Sequence, residues 1–264
     1  MFNIPQPETE PLFEGCPLVH LSDAPKDWEN IFSILYDNNA SYTYTDQFAL
    51  PLLASMLRLG RKYQFDDMQA QALRRIRREL PDSLAGWDEN FSDGAKGLVI
   101  ESDHEIDLVN ILVEMGIQSL LPMAYFLCIK SLAPVDILRG YTRDDDSTCR
   151  LSTETIEKLI LARDLICKAI LGQFEWAKTP SSIPTPGCYK RYQCEGIRSN
   201  VFETLAADNV PGRALLHPDK FTGGVFCASC FGEIRRIYEA GRVHIWDNLP
   251  TYFELPNWQD LKDT

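Results

Sequence analysis

Four cysteines toward the C-terminal end are the residues whose type and spacing come closest to a chemistry. Cys227-Ala228-Ser229-Cys230 is a C-x-x-C pair, and Cys188 and Cys194 lie earlier, after the Pro-rich run from Pro180 to Gly187. A C-x-x-C turn can place two thiolates on one tetrahedral ion at about 2.3 Å each, so Cys188, Cys194, Cys227 and Cys230 are candidate ligands for a structural zinc. The gap between Cys188 and Cys194 exceeds the roughly two to four residues usual between such ligands. The residues alone leave two readings, a zinc site or reduced thiols lining the start of a helix. His217 or His244 could stand in for one sulfur. A thioredoxin-like redox pair is set aside because no βαβ pattern surrounds it.

Other chemistry-bearing residues have plainer readings. His217-Pro218-Asp219 is the short motif of the J-domains of Hsp70 co-chaperones, but Asn209-Val210-Pro211-Gly212-Arg213 precedes it and Phe221-Thr222-Gly223-Gly224 follows. Neither flank reads as a helix, so His217 is a turn residue. Arg74-Arg75-Ile76-Arg77-Arg78 reads as a helix with Ile76 inward and the arginines fanning over a solvated face, answered by Asp66, Asp67 and Glu79. Asp144 to Asp146 reads as a loop. Hydrolase elbows, phosphate loops, H-E-x-x-H and dinucleotide fingerprints are all missing, and Gly94-Ala95-Lys96-Gly97 has the wrong spacing to cradle a phosphate. No catalytic residue is predicted, and the expectation is a protein that is not an enzyme.

Composition narrows the partners. The 264 residues are 45% hydrophobic and 24% charged, enough for a folded core, and the formal net charge of −12 repels nucleic acid and anionic lipid. The start, Met1-Phe2-Asn3-Ile4-Pro5-Gln6-Pro7-Glu8, has neither the basic nor the apolar part of a secretion signal. The longest apolar stretch, Met115 to Ile129, contains Gln118 and Pro122 and falls short of the about 20 residues that span a bilayer, so it reads as a buried helix bent at Pro122. The expected location is intracellular, cytoplasmic or nuclear. There the eight cysteines stay reduced, and the sequons at Asn39 and Asn90 go unused.

The elements that would position these residues follow from periodicity. Leu18 to Leu21 alternates like a short strand. Ser22 or Asp23 caps a following helix with Trp28, Ile31, Phe32, Leu35 and Tyr36 on its inner face and Lys26, Asp27, Glu29 and Asn30 outward. A second helix runs from Leu50 to Tyr63, with Gly60-Arg61 as a wall of close packing, and a third, capped by Asp66, runs to Leu80, where Pro81 stops it. Residues 81–97 read as a connector. Helices are expected from Ile106 to Leu132, from Val135 to Arg139, and after a Ser152 cap. The ending, with Trp246, Tyr252, Phe253 and Trp258 set between Pro250 and Pro256, reads as a tail stapled onto the helix of Ile234, Ile237 and Tyr238, with Arg235, Arg236 and Arg242 pairing there.

The run Val19-His20-Leu21-Ser22-Asp23, the stretch from Trp28 to Asp37, and the segments Leu53 to Asp66 and Ala72 to Ile76 together resemble the second half of a BTB/POZ domain. The ending from Gly241 to Trp258 is similar to that of the BTB-containing proteins abundant in mushroom-forming fungi. The resemblance implies a protein-interaction scaffold or adaptor, homo- or hetero-association through the BTB-like unit, and a cullin-based ubiquitin ligase as partner. In that family, strands and a helical hairpin precede this point and build the dimer interface, so the chain reads as starting after them. The hydrophobic-x-Glu element that engages cullins is poorly matched around Glu8 to Glu14. Without those strands, Leu18 to Leu21 would be an exposed sheet edge, open to self-association or strand addition.

The sequence therefore predicts an α+β fold, predominantly α-helical. Its parts are a partial BTB/POZ-like domain over 1–81, a helical region over 82–180, and a Cys-containing subdomain over 181–264 packed on the helices. The expected role is a non-enzymatic interaction scaffold, with a zinc-stabilised regulatory module unrelated to ubiquitin as the alternative.

Overall fold

The computed structural model describes residues 12–36, 49–91, 104–143, 146–178, 182–206, 210–218 and 226–264. Helical periodicity in the first third is realised as α1 (Pro25–Tyr36), α2 (Leu50–Tyr63) and α3 (Asp66–Glu79), in the predicted order. α2 is apolar over most of its circumference and buries Leu50, Leu52, Leu53, Met56, Leu57 and Leu59, so it lies between α1 and α3. Pro51 occupies its first turn, where no N–H is needed, and Gln64 closes it in the left-handed conformation. The close approach expected at Gly60 is present: a Cβ there would lie 3.0 Å from Cβ of Gln69 on α3.

Several local expectations are corrected. Residues 18–21 are not a strand. Pairing sits upstream, in a hairpin of β1 (Leu12–Phe13) and β2 (Cys16–Pro17) joined through Glu14 and Gly15, both at positive φ as a tight primed turn demands. That turn fixes the register before Leu18, so the exposed edge inferred for Leu18 to Leu21 falls with the strand. Asp27 points inward: its buried carboxylate accepts the Ser55 hydroxyl at 2.7 Å and lies 3.4 Å from Arg58, tying α1 to α2. Asp23 does not cap α1. It accepts from Lys62 at 2.6 Å, Tyr63 at 2.5 Å and the Trp28 indole at 3.3 Å, and the first two bonds hold its pKa below the usual carboxylate value. Asp66 is the first helical residue of α3 rather than its cap, which is Phe65. Arg75 is buried against Glu79 at 3.8 Å instead of fanning into solvent, and Arg77 reaches Asp263 at 2.9 Å.

The expected connector contains α4 (Leu84–Phe91), held because Trp87 is buried and its indole donates to the Leu215 carbonyl at 3.1 Å. The long middle helix is two helices. α5 (Glu105–Glu114) ends before Gly116, and α6 (Leu121–Ser131) begins after a 3-10 turn at Gln118–Leu120. Pro122 therefore opens a helix rather than bending one, as its missing N–H favours. α6 is buried from Leu121 to Ile129 and forms the centre of the core. α7 (Pro134–Arg139) leads into a hairpin of β3 (Tyr141–Thr142) and β4 (Thr148–Cys149), whose turn includes Asp146. Ser152 caps α8 (Thr153–Gln173) as expected, its hydroxyl accepting the Thr155 N–H at 3.1 Å.

α9 (Glu175–Lys178), α10 (Arg191–Ala206), a 3-10 turn at Val210–Arg213, α11 (Ala228–Tyr252) and a 3-10 turn at Trp258–Asp260 complete the helices among the described residues, and α11 packs along α8. The tail does fold back, but not onto Ile234, Ile237 and Tyr238, which share α11 with Trp246. Trp258 stacks on Trp246 at 5.2 Å and donates to its carbonyl at 2.8 Å, while Phe253 meets Tyr125 of α6. Asp263 accepts the Ser119 N–H and hydroxyl, both at 2.9 Å. The fold is α+β and predominantly helical, with two two-stranded hairpins among the described residues. Among the described residues no helix is long and apolar enough to cross a membrane. The sequon at Asn39, the Gly94–Gly97 run, Glu8, Asp144, Asp145 and Asp219 lie outside the described residues.

Candidate metal centre

Three segments converge at the start of α11. A turn closed by the Cys188 N–H on the Thr185 carbonyl, at 3.0 Å, presents Cys188. Cys194 lies in the first turn of α10, where its N–H bonds the Lys190 carbonyl at 3.0 Å. Cys227 is the N-cap residue of α11, and Cys230 follows within its first turn. The ligand atoms of all four lie within 4.8 Å of one another, with Cys194, Cys227 and Cys230 buried and Cys188 partly so. All four predicted residues are thus brought together, and they could bind a metal. The wide gap from Cys188 to Cys194 is absorbed by the entry into α10, and the distance to the C-x-x-C pair by α10 running out and the chain returning.

The surroundings suit anionic sulfur. Two of the thiols are beside a donor from a neighbouring segment: the Cys227 N–H reaches Cys194 Sγ at 3.4 Å, and the Thr185 N–H reaches Cys230 Sγ at 3.4 Å. The Cys230 and Lys190 backbones favour the thiolate forms of Cys227 and Cys188. The positive end of α11, a helix of 25 residues, faces the same point. Such donors orient ligands and offset negative charge around a metal. Burial pushes the Cys188 thiol up to about 12 and raises Cys194 as well. Burial alone would raise Cys227 too, but the Cys230 N–H and the thiols of Cys188, Cys230 and Cys194 outweigh it and bring Cys227 down to about 6. A thiolate at Cys227 disfavours a second charge beside it, because like charges repel. A dication removes that repulsion and takes the other protons off.

His217 and His244 do not join the cluster. His244 is exposed on α11, where it pairs with Asn248, more than three turns beyond Cys230. Thr185 was not legible as part of the site. Its N–H and its hydroxyl, 3.5 Å from Cys230 Sγ, are aimed at sulfur, and a threonine between two prolines carries no sequence signal for that role.

A second titratable group lies at the β3–β4 hairpin. Asp107 of α5 accepts from Tyr141, Arg143 and, at 3.0 Å, the Cys149 thiol. Burial raises its pKa, yet the bonds from Arg143, Tyr141 and Cys149 outweigh burial and lower it. Burial, then Asp107, pushes the Cys149 thiol up to about 11 and raises Tyr141. A thiol held protonated is a poor nucleophile, so this group clamps the hairpin to α5.

A ridge of apolar side chains is exposed on α1. Phe32, Leu35 and Tyr36 are 46%, 55% and 77% exposed, although their spacing predicted an inner face. Only Ile31 of that set is fully buried, because α2 covers α1 along one narrow stripe. Ring contacts run from Tyr36 to Phe32 at 5.8 Å, to Trp28 at 5.3 Å and to Tyr63 at 5.1 Å. Comparison of the chain with family models, with curated proteins and with solved structures finds no match.

Proposed function

We propose that the chain is a protein-interaction scaffold, not an enzyme, whose C-terminal part is held by a structural zinc ion on Cys188, Cys194, Cys227 and Cys230. The observation that carries this reading is the convergence of four thiols within 4.8 Å, with backbone N–H groups donating to Cys194 and Cys230, at the positive end of α11. Four sulfur ligands with no open position suit a structural zinc rather than a catalytic one. Such an ion would tie the 182–190 segment, α10 and α11 together and keep α11 seated on α8. Reduced thiols of this kind belong to an intracellular compartment, cytoplasmic or nuclear. The test is removal of the metal from purified protein with a chelator. The reading predicts loss of near-ultraviolet circular dichroism and a lowered melting temperature, both restored by zinc. Unchanged spectra and melting after complete removal would refute it.

The adaptor reading, a BTB/POZ-type unit serving a cullin-based ligase, is supported by the exposed α1 ridge of Phe32, Leu35 and Tyr36, since large contiguous apolar groups on a surface mark protein contacts. Association with further copies of the chain would use the same first region. Affinity capture from cells tests it: a cullin retained by the native chain and lost with Phe32→Asp supports the adaptor, and capture of no cullin argues against it.

A further inference from the structure

We propose that the same four-sulfur centre is a peroxide-sensitive modification site: Cys188 is oxidised first, Cys227 closes on it to form a disulfide, and the metal is released. The inference rests on the zinc reading above. Cys188 is the one sulfur of the four that is not fully buried, and it sits beside exposed Tyr189 in a turn rather than within a helix. A small hydroperoxide therefore meets Cys188 before the other three. All four sulfurs lie within 4.8 Å of one another, and Cys227 Sγ is in direct contact with Cys188 Sγ at 3.6 Å, which makes it the resolving sulfur. Cys194 and Cys230 each take an N–H from a different segment, from Cys227 and Thr185, which holds them in place as the pair closes. The turn carrying Cys188 can follow its sulfur without unwinding α11, and a Cys227–Cys230 linkage within the C-x-x-C is the competing outcome.

The oxidant is hydrogen peroxide or an organic hydroperoxide. Zinc keeps the sulfurs as thiolates. The Cys188 thiolate attacks the terminal peroxide oxygen, an S–O bond forms, the O–O bond breaks, and the departing oxyanion takes a proton to leave as water or an alcohol. The Cys227 thiolate then attacks the sulfenic sulfur, an S–S bond forms, the S–O bond breaks, and hydroxide leaves as water after taking a second proton. The two sulfurs give up two electrons and the peroxide accepts them. Zinc, left with Cys194 and Cys230 alone, dissociates.

The experiment treats the full zinc-loaded chain with hydrogen peroxide, follows released zinc with a chelating dye, and maps disulfides by alkylation and peptide mass spectrometry. The expected result is one zinc released for each Cys188–Cys227 linkage formed, with reduction plus zinc restoring the starting state. A dominant Cys227–Cys230 or other linkage, or zinc release with sulfinic acids and no disulfide, would overturn the proposal. In a Cys188→Ser variant that still holds zinc, peroxide-driven release should slow at least tenfold; the linkage map of the native chain decides the matter if that variant does not hold it. A native chain that takes up no zinc refutes the metal reading itself, and the linkage map of that chain still decides whether Cys188 and Cys227 are the reactive pair.

Discussion

Arg242 is fully buried in α11, and replacing it separates the attraction of a buried ion pair from the penalty of burying it. Its guanidinium donates to Asp88 of α4, to Glu239 at 2.8 Å and to the Leu215 carbonyl at 3.2 Å, while its Nε has no partner among the described residues. Charged hydrogen bonds contribute about 1.5–3 kcal/mol each where both partners are sequestered. Here the acceptors are not. Asp88 and Glu239 side chains are 31% and 42% exposed and can rehydrate, and the Leu215 carbonyl keeps the Trp87 indole at 3.1 Å. Arg242→Met fills much of the space, strands no acceptor and removes a costly desolvated cation, so the expected loss is only about 1–2 kcal/mol. Arg242→Ala adds a cavity and should lose about 4 kcal/mol. Asp88→Ala leaves the cation buried with Glu239 as its remaining carboxylate, beside the Leu215 carbonyl, and should lose about 3 kcal/mol, more than the methionine variant. Urea unfolding of zinc-saturated protein, read by circular dichroism, measures all three. Arg242→Met costing more than Asp88→Ala would refute the reasoning, because it would mean that attraction exceeds desolvation at this site.

Two further outcomes follow from the hairpin. The folded-state pKa of Asp107 is depressed, so its contribution to stability is full above the unfolded carboxylate value near 3.8 and is lost as pH falls through the lower folded value. Asp107→Asn should flatten the acid limb of the stability–pH curve below about pH 4 and cost about 1–3 kcal/mol at neutral pH, as pH-dependent thermal melts would show; an unchanged acid limb would count against the clamp. Gly140, at φ 71, joins α7 to β3, and a Cβ there would lie 1.9 Å from the Cys149 carbonyl oxygen. Gly140→Ala should therefore cost more than the roughly 1–3 kcal/mol of backbone strain alone, checked by chemical unfolding, and a loss below 1 kcal/mol would contradict it.

What could be read from the sequence was what depends on neighbours along the chain. The 3.6-residue period gave α2 and α3, Ser152 marked the start of α8, and C-x-x-C pointed to Cys227 and Cys230. Where contacts between distant segments decide, the sequence was silent or misleading. Asp27 reads as a surface acid and is buried because Ser55 and Arg58 of α2 meet it. Phe32, Leu35 and Tyr36 read as core and are exposed because, among the described residues, α2 meets α1 along one stripe. α4 has a weak pattern and is held by the Trp87 bond to Leu215. Cys188 and Cys194 have an atypical spacing, and only the return of the chain to α11 makes them partners of Cys227 and Cys230.

X-ray absorption at the zinc edge on purified protein, with metal content measured on the same sample, decides whether the four cysteines hold zinc. The expected result is one zinc per chain with four sulfur neighbours at about 2.3 Å and no nitrogen or oxygen bound to it. A well-folded, metal-free chain in which Cys188, Cys194, Cys227 and Cys230 all react as free thiols would contradict it.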